Sequence, residues 1–126
     1  MRRTATLARM ASIFDSSSIE ITPEQAQAAL GEDKAQLVDV RETYEWEAGR
    51  IEGALHIELE HLASNAGRID SDRPVIFQCR LGSRSAMAAQ AFRGVGIDAY
   101  SMAGGLQRWA DEERPLVPEG GHVADH

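Results

Sequence analysis

Short apolar runs recur along the chain, each bounded by glycine, proline or a polar cluster and each followed by a stretch of helical composition. Ile19-Glu20-Ile21 reads as a first strand. In the next segment Thr22 is placed to cap a helix, Pro23 takes its first position and Gln25 completes a capping box, so a helix is expected to run to about Gly31. Gln36 to Val40 is a second strand, and Thr43 to Ala48 a short helix stopped by Gly49. Ala54 to Ile57 gives a third strand, with a helix from Leu59 to Ala66 behind it. Val75 to Gln78 is the fourth strand and precedes a long helix from about Ser83 to Val95, ended by Gly94 and Gly96. Ala99 to Met102 is the fifth strand, and after Gly104 and Gly105 a last helix carries Leu106 and Trp109. Alternation of this kind predicts an α/β fold, a three-layer sandwich whose five-stranded, mostly parallel sheet has helices on both faces.

The pattern occupies residues 19–117 of 126, one domain, large enough to bury about two-thirds of its unfolded surface without disulfide staples. Residues 1–18 and 118–126 fall outside it. The first is expected to be a disordered tail; the end of the chain from Pro115, with Pro118 and the pair Gly120-Gly121, is expected to fray. Net charge is −7, and because Arg2, Arg3 and Arg9 stand in a leading segment without acids, the folded body is more acidic than that figure. Such a body repels phosphate backbones, which argues against nucleic acid as a partner. No apolar stretch approaches the ~20 residues that span a membrane, so no membrane role is expected. The Arg- and Ser-containing leader offers a weak case for an organellar transit peptide; a cytoplasmic location is the main expectation.

The single cysteine sits where the fourth strand hands over to a helix, in Cys79-Arg80-Leu81-Gly82-Ser83-Arg84-Ser85. A strand-to-helix loop aims main-chain N–H groups inward, and the helix dipole adds positive potential. Helix N-termini and neighbouring arginines favour the thiolate form of a cysteine, the form that acts as nucleophile. In parallel sheets, ligands bind beyond the carboxyl ends of the strands, which is where Cys79 stands. With no second cysteine, neither an internal disulfide nor a resolving thiol is available, which fits a reducing compartment. One cysteine cannot build a zinc site and the four histidines lack metal-ligand spacing, so no metal is expected.

The loop resembles the active-site loop of single-domain rhodanese-like sulfurtransferases. Leu37-Val38-Asp39-Val40-Arg41-Glu42 resembles the second-strand signature of that family, and Gly104-Gly105 with Trp109 its C-terminal one. Gly49-Arg50-Ile51-Glu52-Gly53-Ala54-Leu55-His56-Ile57 resembles the family's entry to the third strand, although Arg50 and Glu52 stand where His and Pro are usual. The resemblance implies a rhodanese-like fold and a thiosulfate sulfurtransferase that works through a cysteine persulfide and needs no cofactor. It also implies that a loop one residue longer would wrap a phosphate; the four residues between Cys79 and Arg84 make a phosphatase or arsenate reductase the weaker reading.

On this reading Cys79 is the nucleophile and Arg80, Leu81, Gly82, Ser83, Arg84 and Ser85 bind the substrate. The partners are a small anionic sulfur donor and a thiol or cyanide acceptor. Arg80 and Arg84 are candidates for the donor's oxygens, with a structural tie within the loop as the other reading of Arg84. Ser83 and Ser85 either cap the helix or bond the persulfide, capping being favoured. Asp39, Arg41 and Glu42, at the end of the neighbouring strand, are supporting residues: the first two a structural ion pair, the third at the entrance. A persulfide carrier or sensor serving a protein donor or acceptor is the alternative to an enzyme of small molecules.

Overall fold

The computed structural model describes residues 18–125. The tail expected at residues 1–18 therefore lies, Ser18 apart, outside the described residues. Five strands form one sheet: β1 (Glu20–Ile21), β2 (Gln36–Asp39), β3 (Leu55–His56), β4 (Val75–Gln78) and β5 (Ala99–Met102). Their order is β1-β5-β4-β2-β3 and every pairing is parallel. Among the described residues four α-helices accompany them: α1 (Pro23–Gly31), α2 (Thr43–Ala48), α3 (Ser83–Gly94) and α4 (Gly105–Asp111). The capping box at α1 forms as its sequence dictates, the Gln25 N–H donating to Thr22 Oγ1 (3.1 Å) and the Thr22 N–H to Gln25 Oε1 (2.8 Å).

Strand alternation splits the core into two halves. Ile21, Leu37, Ile76, Tyr100 and Met102 meet Ala26 and Ala29 of α1 and Leu106 and Trp109 of α4 on one face. Val38, Val75, Phe77 and Ala99 meet Ala88, Ala89 and Phe92 of α3, with Leu62 and Ile69, on the other. Because β4 is the middle strand and buried on both faces, all four of its residues are inaccessible, which is why it reads as an unbroken apolar run up to Gln78. The chain leaves β2 toward β3 and β4 toward β5, in opposite directions across the sheet, and the crevice at their carboxyl ends is where Cys79 emerges.

Two segments depart from the sequence reading. The stretch Leu59 to Ala66 is two 3₁₀ turns, Leu59–His61 and Ala63–Arg68, rather than one α-helix. Ser64 Oγ (3.1 Å) and Asn65 Nδ2 (2.9 Å) both donate to the His61 carbonyl, and Asn65 leaves helical geometry at φ −115°. Side chains that compete for main-chain acceptors interrupt a helix in this way. The segment after Val117 docks instead of fraying. Val117 and Arg50 exchange N–H···O bonds of 2.8 Å, the His122 N–H donates to the Ala48 carbonyl at 2.9 Å, and Val123 packs on the α1/α4 half of the core. These tertiary bonds outweigh local proline and glycine content.

Candidate active site

Cys79 follows Phe77 by two residues, so its side chain falls on the α3 face, 1% exposed, and counts among the buried residues of that half of the core. It stands under the first turn of α3. Helices leave their leading N–H groups without intrahelical partners, and here the sulfur supplies them: the N–H of Gly82 lies 3.1 Å and that of Ser85 3.4 Å from Sγ. Gly82, the residue before the helix, has φ +115°, a left-handed conformation open to glycine, and this turn aims its N–H back at the sulfur. The Ser85 hydroxyl is 3.5 Å from Sγ, donates to the Gly82 carbonyl at 3.1 Å and is 2.8 Å from Ser101 Oγ.

Neither serine caps α3 with its side chain. Ser85 lies within the first turn and its hydroxyl turns back to Gly82, while Ser83 is exposed. The sulfur occupies the position that a capping hydroxyl takes in other helices.

The outer side of the loop is held from behind. The N–H groups of Leu106 and Gln107 in α4 donate to the carbonyls of Cys79 (2.8 Å) and Arg80 (3.0 Å). A Cβ on Gly105 would come within 2.5 Å of both carbonyl oxygens, so only glycine permits this approach. With these two carbonyls held outward, the N–H groups of Gly82 and Ser85 face the sulfur.

The Arg84 guanidinium meets Glu45 at two points, 2.9 and 3.1 Å. Glu45 is fully buried in α2 and also accepts the Glu42 N–H at 3.0 Å. The bond to Glu45 holds the Arg84 pKa above the ordinary guanidinium value, against an opposing effect of burial and with further help from the charges of Glu45, Cys79 and Asp39. Arg84 thus ties α3 to α2, the loop-brace arrangement rather than an arginine fork free toward solvent. Glu45→Gln is expected to cost about 1–2 kcal/mol, because Arg84 retains some water contact, less than a wholly enclosed charge would lose. Urea unfolding of the two proteins measures it.

Arg80 is oriented differently. Its Nη2 lies 3.3 Å from the Asp125 carboxylate in the docked C-terminal segment, and its Nε is buried without a partner. Leu81, between Arg80 and Gly82, is 58% exposed. Asp39 and Arg41 form a fully enclosed ion pair, with Arg41 Nη2 2.7 Å from Asp39 Oδ2 and 2.8 Å from the Gly49 carbonyl. They fix β2 to the end of α2. Glu42 is exposed at the start of that helix. His56 Nε2 is 2.8 Å from the Arg41 carbonyl and its ring stacks on Trp46 at 4.7 Å, so it packs away from the sulfur.

Three contributors escaped the sequence reading. Glu45 follows Glu42 at capping-box spacing, a signal present in the sequence. Ser101 is a fully buried polar residue within an otherwise apolar strand, a second usable signal. Asp125 has none, since its contact with Arg80 depends on the docking of a whole segment. Among the described residues, Glu58, Glu60 and His61 bring possible metal-ligand atoms within 4.8 Å of one another, on the 3₁₀ turn after β3 and without Cys79.

A parallel α/β sandwich whose middle strand ends in a cysteine loop is the class of protein the fold defines. The chain belongs to the rhodanese-like domain family, which matches residues 22–112. It is 41% identical over 90 residues to the protein YqhL of Bacillus subtilis, covering 71% of this chain and 70% of that protein. It is 38% identical over 90 residues to the thiosulfate sulfurtransferase GlpE of Pseudomonas savastanoi, covering 71% of this chain and 84% of that enzyme. Among solved structures, a rhodanese-related protein from Thermoplasma volcanium superposes with a TM-score of 0.74 at 25% identity, covering 79% of this chain and 98% of the other. No helix among the described residues is long and apolar enough to cross a membrane.

Proposed function

We propose that the protein is a sulfurtransferase that moves sulfane sulfur from a small anionic donor such as thiosulfate, through a persulfide on Cys79, to cyanide or a thiol. The observation that carries this reading is the convergence of the Gly82 and Ser85 N–H groups on Sγ. Donors fixed in advance stabilise negative charge on the sulfur without reorganisation. The similarity to a thiosulfate sulfurtransferase supports the same chemistry.

In the first step the Cys79 thiolate attacks the outer sulfur of thiosulfate; the donor S–S bond breaks and sulfite leaves with its electron pair. The sulfur now carried by Cys79 bears the negative charge, and the N–H groups of the loop hold it. In the second step cyanide or a thiolate attacks that terminal sulfur, and Cys79 departs as the thiolate it began as. The two half-reactions make the kinetics ping-pong. On this reading Arg80 is the candidate for the donor's oxygens, while Arg84 and Glu45 keep the loop in shape. No cofactor enters either step, and a nucleophile that must stay reduced suits the cytoplasm.

Incubation with excess thiosulfate is expected to add one sulfur atom to Cys79 by intact-protein mass spectrometry, and cyanide is then expected to remove it as thiocyanate. A protein that takes up no sulfur from any sulfane donor would not be a sulfurtransferase.

A further inference from the structure

Ser101 places a fully enclosed hydroxyl in β5. It follows Ala99 by two residues and lies in register with Phe77 of β4, both members of the half of the core that faces α3. An alanine at this position would bury no polar atom, whereas a hydroxyl there is costly unless it is hydrogen-bonded. Its side chain has one hydrogen-bond partner among the described residues, Ser85 Oγ at 2.8 Å.

The direction of that bond follows from the protons available. A hydroxyl has one proton to give and two lone pairs to receive with. The Ser101 proton has Ser85 Oγ alone to go to, while the Ser85 proton has acceptors elsewhere, so Ser101 is the donor. Ser85 in turn stands between the Gly82 carbonyl at 3.1 Å and Cys79 Sγ at 3.5 Å. The carbonyl does not depend on it, because the Ala86 N–H also donates there, at 3.0 Å. A sulfur that carries a proton gives it to Ser85; a sulfur that carries negative charge takes the Ser85 proton instead. A hydroxyl that accepts one hydrogen bond donates the next more strongly.

We infer, resting on the sulfurtransferase reading above, that Ser101 is a positioning residue for discharge of the persulfide. Through Ser85 it brings a third donor, beside the Gly82 and Ser85 N–H groups, to the Cys79 sulfur as charge returns to it. In that step the acceptor attacks the terminal sulfur, the S–S bond breaks and its electron pair stays on Sγ. A leaving thiolate departs faster the better its charge is held, and donors aimed where charge develops lower the barrier. Loading runs the other way. Charge leaves Sγ as Cys79 attacks its donor, so a hydrogen bond to Sγ gives that half-reaction no help.

Rapid-quench mass spectrometry of the full chain times the two half-reactions separately: uptake of sulfur from excess thiosulfate and its removal by cyanide. Ser101→Ala is expected to slow removal about three- to tenfold, part of the worth of a hydrogen bond to a charged group, and to change uptake by less than about twofold. In a Ser85→Ala background the same substitution is expected to slow removal no further, because Ser101 acts through that hydroxyl. Ser101→Thr and Ser101→Val share one shape and differ by the hydroxyl, so the threonine variant is expected to discharge faster than the valine variant. Unchanged removal in Ser101→Ala, a loss shared equally by both half-reactions, a further loss in the Ser85→Ala background, or equal removal by the threonine and valine variants overturns the inference and leaves the sulfurtransferase reading standing. A parent protein that takes up no sulfur, or yields none to cyanide or a thiol, overturns both.

Discussion

Asp39→Ala is expected to remove about 3–5 kcal/mol of folding stability, the cost of leaving one charge of an enclosed pair without its counter-charge. Asp39 and Arg41 have no exposed side-chain surface, and the guanidinium meets the carboxylate through Nε at 2.9 Å and Nη2 at 2.7 Å. Once the carboxylate is gone, Arg41 keeps only the Gly49 carbonyl and has no route to water from its position beneath β2 and the end of α2. Domains of this size have total stabilities of about 5–15 kcal/mol, so the variant should unfold at much lower urea. A second substitution separates the pair from its packing: Asp39→Ala with Arg41→Met removes the stranded charge and should recover much of the loss. If the single variant unfolds at the same urea concentration as the parent, the pair contributes nothing to the fold.

Cys79→Ser is expected to abolish sulfur loading altogether while changing stability by no more than about 1 kcal/mol. The serine hydroxyl fits the same space and accepts the same N–H groups of Gly82 and Ser85, so the helix start remains satisfied. It is not an effective nucleophile toward sulfane sulfur, and the chain holds no other cysteine to take over. Mass spectrometry after treatment with thiosulfate or a persulfide, alongside urea unfolding, reads both halves of this expectation. Sulfur gained by the serine variant would place the carrier elsewhere in the chain.

The architecture was legible because its signals are local. Val75 to Gln78 is an unbroken buried run because β4 lies mid-sheet, and Thr22 with Gln25 mark the start of α1 through bonds only three residues long. The cysteine loop was legible for the same reason: strand, glycine and helix follow one another directly. What was hidden depends on distant partners. Glu45 meets Arg84 from another helix, and Asp125 reaches Arg80 only because the segment from Val117 to Val123 docks beside Arg50 and Gly49. The 3₁₀ turns after β3 were masked by composition: Leu59 to Ala66 contains helix formers, and the contest between Ser64, Asn65 and the main chain for one carbonyl emerges only in geometry.

The Cys79 sulfur is also the atom on which α3 begins. A replacement that accepts no hydrogen bond would leave two of the helix's leading N–H groups without the acceptor they now have, so the geometry at Cys79 and the local stability of α3 are thermodynamically linked. Whatever steadies the first turn of the helix also keeps those N–H groups on the sulfur. The candidate nucleophile and the start of the longest helix among the described residues share one atom.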